Sequence, residues 1–184
     1  MAILKIAQMG NPILRAVAKP VQESEIKTKD FQKFLQDMVE TMREHEGLGL
    51  AAPQVHHSIR VSVIEMRKSN PDEQDYPNNN DKEPPKIYVF INPEIKPLTK
   101  ETNSYWEGCL SVPGLRGLVS RPGKVNIKYL DENGKKCELT AEGFFATILQ
   151  HEFDHLDGKL YIDRMTDMTK LAFDAEFEKY WLPD

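Results

Sequence analysis

Five consecutive residues, His151-Glu152-Phe153-Asp154-His155, carry the clearest chemistry in the chain. A helix completes a turn in about 3.6 residues, so imidazoles four positions apart lie one above the other and can bind a single metal ion. Glu152, about 100° round from His151 on such a helix, sits beside that ion and can act as a base toward a water on it. Chance is a weak rival. With 5 histidines in 184 residues, the pattern arises in roughly one chain of this size in a hundred. The surroundings weaken it further. From about Gly143 to Asp157, Phe144, Ile148, His151 and His155 follow one stripe while Phe145, Leu149, Phe153 and Leu156 follow another. A helix apolar on two sides is buried in its domain, and burying two histidines and a glutamate is costly unless they are paired or metal-bound.

A catalytic metal site needs a third protein ligand and an open position. Metzincin proteases would require a histidine where this chain has Tyr161, which excludes them. Thermolysin-like peptidases take a downstream glutamate, and Glu176, 21 residues after His155, keeps that option open. Cys109 is the other candidate, although a lone cysteine is more often core than ligand. A non-catalytic module stabilised by its metal is a third reading.

The elements that must hold these residues follow from periodicity. Phe31, Phe34, Leu35, Met38 and Met42 predict a helix over Ser24–Gly47 with Gly47 as its stop. Ile59, Val61 and Val63 alternate as a half-buried strand, and Ile87–Asn92 forms a second. Between them, 67–86 holds four prolines and three consecutive asparagines and reads as an inserted surface loop. Val125, Ile127 and Tyr129 lead into Asn133-Gly134 and then Cys137 and Leu139, a hairpin in which Cys137 is a small buried hydrophobe. Gly158 ends the helix that carries the histidines. Met168, Leu171, Ala172 and Ala175 mark a C-terminal amphipathic helix. The fold class is therefore α+β: mostly antiparallel sheets around a central buried metal-binding helix, with a C-terminal helix. At 184 residues, 1–184 is one domain.

Composition narrows the partners. A formal net charge of −5 argues against nucleic acid or anionic lipid as the main target, and no apolar run approaches the ~20 residues a bilayer requires. Lys5, Arg15 and Lys19 give the first 22 residues a basic balance, but without serine and with Pro12 and Pro20 they read as a folded N-terminus. The two cysteines are expected to be reduced, leaving a thiol free for metal. His45, His56 and His57 receive surface roles.

Three runs in order, Gly47-Leu48-Gly49-Leu50-Ala51-Ala52-Pro53-Gln54, Glu107-Gly108-Cys109-Leu110-Ser111 and His151–His155, resemble the GLGLAAPQ, EGCLS and HEFDH signatures of peptide deformylases. The resemblance implies a hydrolase that removes the N-formyl group from the initiator methionine of nascent peptides and releases formate. It implies one divalent metal ion per chain on Cys109, His151 and His155, with ferrous iron in cells and zinc, nickel or cobalt as replacements. Glu152 would be the base, and the amide of Gln54 and the backbone N–H of Leu110 would hold the oxyanion. The methionine side chain would enter a pocket of Leu48, Phe144 and Ile148, with the substrate backbone beside Leu48 and Gly49 and against Gly108. The expected location is cytoplasmic.

In some deformylases a basic C-terminal extension docks on the ribosome. Here three basic residues (Arg164, Lys170, Lys179) face six acidic ones (Asp163, Asp167, Asp174, Glu176, Glu178, Asp184) between Asp163 and Asp184. RNA would repel such a segment, so transient ribosome proximity without direct nucleic-acid binding is expected. A second stripe of Phe173, Phe177, Tyr180 and Trp181 points to a homodimer through this helix.

Overall fold

The structure is a computed structural model that describes residues 2–66 and 85–182. Its helices are α1 (Glu23–Ile26), α2 (Lys29–Glu44), α3 (Gly143–Leu156) and α4 (Asp174–Tyr180). Its strands are β1 (Gly49–Ala51), β2 (Val61–Met66), β3 (Lys86–Pro97), β4 (Thr102–Cys109), β5 (Val112–Pro122), β6 (Lys124–Leu130), β7 (Lys136–Glu142) and β8 (Leu171–Phe173). One sheet has the order β1-β2-β3-β6-β7 and the other β4-β5-β8, and every pairing within them is antiparallel. The α+β expectation holds, and α3 packs against strands of both sheets.

The larger sheet has apolar side chains on both faces. Val61, Val63, Val89 and Ile91 meet Leu35, Met38 and Met42 of α2. Ile64, Phe90 and Ile127 meet Phe145, Leu149 and Phe153 of α3. β2 is thus buried on both faces rather than half-buried, because a helix covers each side. Ile59 lies before the strand, in an isolated bridge to Lys19.

Two helix boundaries differ from expectation. The helix expected over Ser24–Gly47 is broken after Ile26: the hydroxyl of Thr28 accepts from the Phe31 N–H and starts α2 as its N-cap. The stop is not Gly47 but Glu46, which takes the left-handed conformation at φ 54°. The N–H of Glu46 donates to the Arg43 carbonyl and that of Gly47 to the Met42 carbonyl, the paired bonds of a Schellman ending. The expected C-terminal helix is three pieces: a 3-10 turn at Met168–Lys170, strand β8 and the short α4. Leu171–Phe173 found the free edge of β5 at Leu115–Gly117, and edge pairing outweighs helical periodicity in so short a run. The two expected stripes dissolve accordingly: Met168 is 60% exposed and Phe173 69%, while Phe177 is buried.

The β6–β7 hairpin is present, turning through 131–135 with Gly134 at φ 76°. Asp131 shapes the turn by accepting from the N–H groups of Asn133 and Lys135. Cys137 is half-buried rather than buried. The expected loop 67–86 lies outside the described residues except for Pro85 and Lys86, and Lys86 already opens β3. Among the described residues no helix is long and apolar enough to cross a membrane.

Gly158 ends α3 as expected, at φ 70°, and a Cβ there would lie 2.7 Å from the Arg15 carbonyl oxygen. Two penalties therefore coincide: a left-handed backbone and a clash with main chain. Gly134 has a similar φ of 76° but would meet only the Ile26 side chain, at 3.7 Å. Gly134→Ala is expected to cost about 1 kcal/mol and Gly158→Ala about 3 kcal/mol. Urea unfolding of both variants tests this; equal losses would remove the clash from the explanation.

Candidate metal centre

α3 carries His151 and His155 on one face, their ring centroids 5.1 Å apart. Cys109 comes from the end of β4, where the ladder to β5 shifts register between Gly108 and Cys109, and that irregularity turns its thiol toward the helix. One donor atom from each of Cys109, His151 and His155 falls within 4.8 Å of the others. Cys109 Sγ and His155 Nε2 are 3.3 Å apart. With metal–sulfur and metal–nitrogen bonds of about 2.3 Å and 2.0–2.1 Å, one ion fits among them.

The electrostatics suit a cation. Burial works against ionising Cys109, yet His155 and His151 outweigh it and hold the thiol well below its usual value. Burial likewise opposes a charged His151, but Cys109 and Glu107 raise its pKa well above the ordinary imidazole value. His151 Nδ1 lies 2.7 Å from Glu107 Oε2, which leaves its other nitrogen for an ion, the usual carboxylate–histidine arrangement of metal sites.

Glu107 is itself fixed from behind. Arg121 donates to both its oxygens, Nε to Oε1 at 2.6 Å and Nη2 to Oε2 at 3.0 Å, and its Nη1 donates to Asp154 at 2.7 Å. Arg164 completes the set with two bonds to Asp154, at 3.0 Å and 2.5 Å. Sequence reasoning assigned nothing to these four residues, nor to Ser111. Glu107 and Asp154 stood inside quoted motifs; Arg121 and Arg164 carried no local signal.

Glu152 is buried, and its Oε2 has no hydrogen-bond partner. Burial pushes its carboxyl up to about 7. Gly49 makes the room: a Cβ at that position would lie 2.5 Å from Glu152 Oε1. Gln54 sits in the 3-10 turn Ala52–Val55 after β1. Its Oε1 accepts from the Ala51 N–H at 2.8 Å, which aims its Nε2 at Cys109 Sγ (3.4 Å) and Ser111 Oγ (3.3 Å).

These groups open on a cleft of about 920 Å³ whose lining includes Leu48, Gly49, Gly108, Leu110, Phe144 and Ile148. The structure thus brings together every residue expected at the site, with His155 behind the cleft wall. Glu176 is exposed on α4, outside both the donor cluster and the cleft. His45 lies at the cleft rim, whereas the His57 ring packs tilted against Phe34, centroids 4.4 Å apart, and His56 caps the turn after Gln54.

The chain is similar to known proteins over nearly its whole length. The family model for polypeptide deformylase matches residues 3–171. A peptide deformylase of Leptospira biflexa is 43% identical over 181 residues, covering 97% of this chain and 96% of that protein. One from Stutzerimonas stutzeri is 43% identical over 179 residues, with the same coverage of 97% and 96%. Among solved structures, the Met-Ala-Ser-bound class I type b peptide deformylase of Acinetobacter baumannii superposes with a TM-score of 0.80 at 40% identity, covering 89% of this chain and 99% of that one. The Thermotoga maritima peptide deformylase superposes with a TM-score of 0.76 at 35% identity, covering 91% and 100%. A match that runs through all three motif-bearing segments and the fold that unites them makes this chain a member of the polypeptide deformylase family.

Proposed function

We propose that this chain removes the N-formyl group from the initiator methionine of new polypeptides, releasing formate. The observation that carries the reading is the pairing of Glu152, buried with an unpartnered carboxylate oxygen, with the Cys109, His151 and His155 cluster in one cleft. Those three side chains would hold one divalent ion. The ion would supply Lewis acidity to the formyl group and to the attacking water. A thiolate with two imidazoles suits ferrous iron as well as zinc; ferrous iron is the proposed resident in cells, with zinc, nickel or cobalt able to replace it.

The chain's own residues do the rest. Glu152, with its pKa raised to about 7, is poised near neutral pH to take a proton from water and return it to the leaving nitrogen. The Gln54 amide, held by its bond to Ala51, donates to the oxygen that gains charge, together with the Leu110 backbone N–H. Leu48, Phe144 and Ile148 receive the methionine side chain. The substrate backbone lies as a strand beside Leu48 and Gly49, with Gly108 against it.

The reading includes one catalytic domain over 1–184, a cytoplasmic location, and nascent peptides met close to the ribosome without direct RNA binding, consistent with the acidic C-terminal segment. Exposed Phe173, Tyr180 and Trp181 support pairing of two copies. The test of function is release of formate from formyl-Met-Ala-Ser with no internal cleavage; internal cleavage would favour a metallopeptidase.

Three variants examine the parts. Glu152→Gln should keep stoichiometric metal and lose activity by about a hundredfold or more; substantial turnover would remove Glu152 as the base. Cys109→Ser should bind metal far more weakly or change its preference, a hydroxyl being a poorer ligand than a thiolate. Unchanged affinity in competition with a chelator would remove Cys109 from the ligand set. Glu107→Gln should lower metal affinity about 10–100-fold through His151, and the same titration would count against that link if affinity stayed at the wild-type value.

A further inference from the structure

The cleft has a second polar feature beyond the donor cluster. Arg116 is the one lysine or arginine among the described residues that line it. It stands opposite Gly108 in the β4–β5 ladder, and a Cβ on Gly108 would lie 3.6 Å from its Nη1. The guanidinium therefore lies across the residue that precedes Cys109. Arg116 Nε is 3.2 Å from Oδ1 of Asp174, the first residue of α4, which also lines the cleft.

The C-terminal segment is built to keep Asp174 there. β8 pairs with the stretch of β5 that contains Arg116. The guanidinium carbon sits 5.4 Å from the centroid of the Phe177 ring. Phe177 leans on Trp106, with centroids 5.0 Å apart, and Trp106 on Trp181 at 5.2 Å. Strand pairing and an aromatic stack thus fix a carboxylate against this guanidinium. Both partners stay partly open to solvent, at 43% and 44% side-chain exposure. An ion pair this exposed is weak, so an incoming charge on a substrate can compete with it.

We propose that Asp174 sets the charge specificity of the cleft for the residues that follow the formylated methionine: by pairing with Arg116 it cancels a positive charge that would otherwise select acidic chains. This rests on the deformylase reading. A pair that merely anchored α4 would influence stability alike for every substrate. A specificity device instead shifts acidic and basic peptides in opposite directions.

The experiment uses the metal-loaded full chain and two C-terminally amidated peptides, formyl-Met-Ala-Asp and formyl-Met-Ala-Lys. The readout is the ratio of their KM values, Asp peptide over Lys peptide, at low salt. Asp174→Asn, which leaves Arg116 uncancelled, should lower that ratio about threefold relative to wild type. Arg116→Gln, which leaves Asp174 uncancelled, should raise it about threefold; both magnitudes are those of an exposed charge pair. The kcat ratio should stay constant, and both shifts should shrink at 1 M salt, where the Debye length falls to about 3 Å. A ratio that stays put, or that moves the same way in both variants, overturns the proposal. Absence of formate release from formyl-Met-Ala-Ser by the wild-type protein would instead overturn the deformylase reading beneath it.

Discussion

The buried guanidinium of Arg121 is the interaction on which the rest of the centre depends. It is 4% exposed and touches two carboxylates from different parts of the chain, Glu107 on β4 and Asp154 on α3. Neither acid would stay ionised in that interior alone, since burial raises both and their cationic partners bring both down. Ionised Glu107 in turn accepts from His151 and orients the ring. One cation on β5 thereby ties the smaller sheet to the central helix and fixes the angle at which a metal-competent histidine enters the cleft. Removing a single member of such a buried set strands charge in the core, which is why sets of this kind are costly to alter piecemeal.

Shape is settled by where side chains are missing. Gly49 on β1 lies so close to α3 that any side chain would displace Glu152. Gly117 on β5 plays the same part for Met165 and Tyr161: a Cβ there would lie 2.5 Å from the methionine sulfur and 2.9 Å from the tyrosine ring. Tyr161 then stacks on His151 at 6.1 Å and donates to the Leu115 carbonyl. Gly49 thus lets β1 approach the helix itself, and Gly117 lets β5 approach the Tyr161–Met165 turn that follows it. The imidazoles and the glutamate are confined by close packing as well as by hydrogen bonds.

How much of this could be read from sequence follows from distance along the chain. The His–Glu–His group and its helix are local, so spacing and periodicity located them to within a residue. Cys109 and Gln54 could be joined to that helix only through family resemblance, since each alone is unremarkable. The Arg121 network was invisible because its members lie 14 and 33 positions apart and no periodicity links them. The C-terminal segment misled for the opposite reason: Met168, Leu171, Ala172 and Ala175 are correctly spaced for a helix, but a free edge on β5 claimed Leu171–Phe173. Glu46 in the left-handed conformation beside an available Gly47 shows the same limit. The Schellman bonds are counted from the end of α2, and that end was set by its packing register rather than by the nearest glycine.

Glu152 shows what the surrounding core is for. Taking a carboxylate out of water disfavours its charged form, and burial raises the pKa of the group to about 7. The side chains flanking it on α3 include Leu149, Phe153 and Leu156, all buried among aromatic and aliphatic neighbours from the larger sheet. Full burial of such residues contributes about 1.5–3 kcal/mol each, enough to offset a carboxylate held in this state. The local conflict and the chemistry therefore have the same origin: the helix that is most thoroughly buried is the one able to hold a poorly solvated glutamate beside a cluster of metal donors.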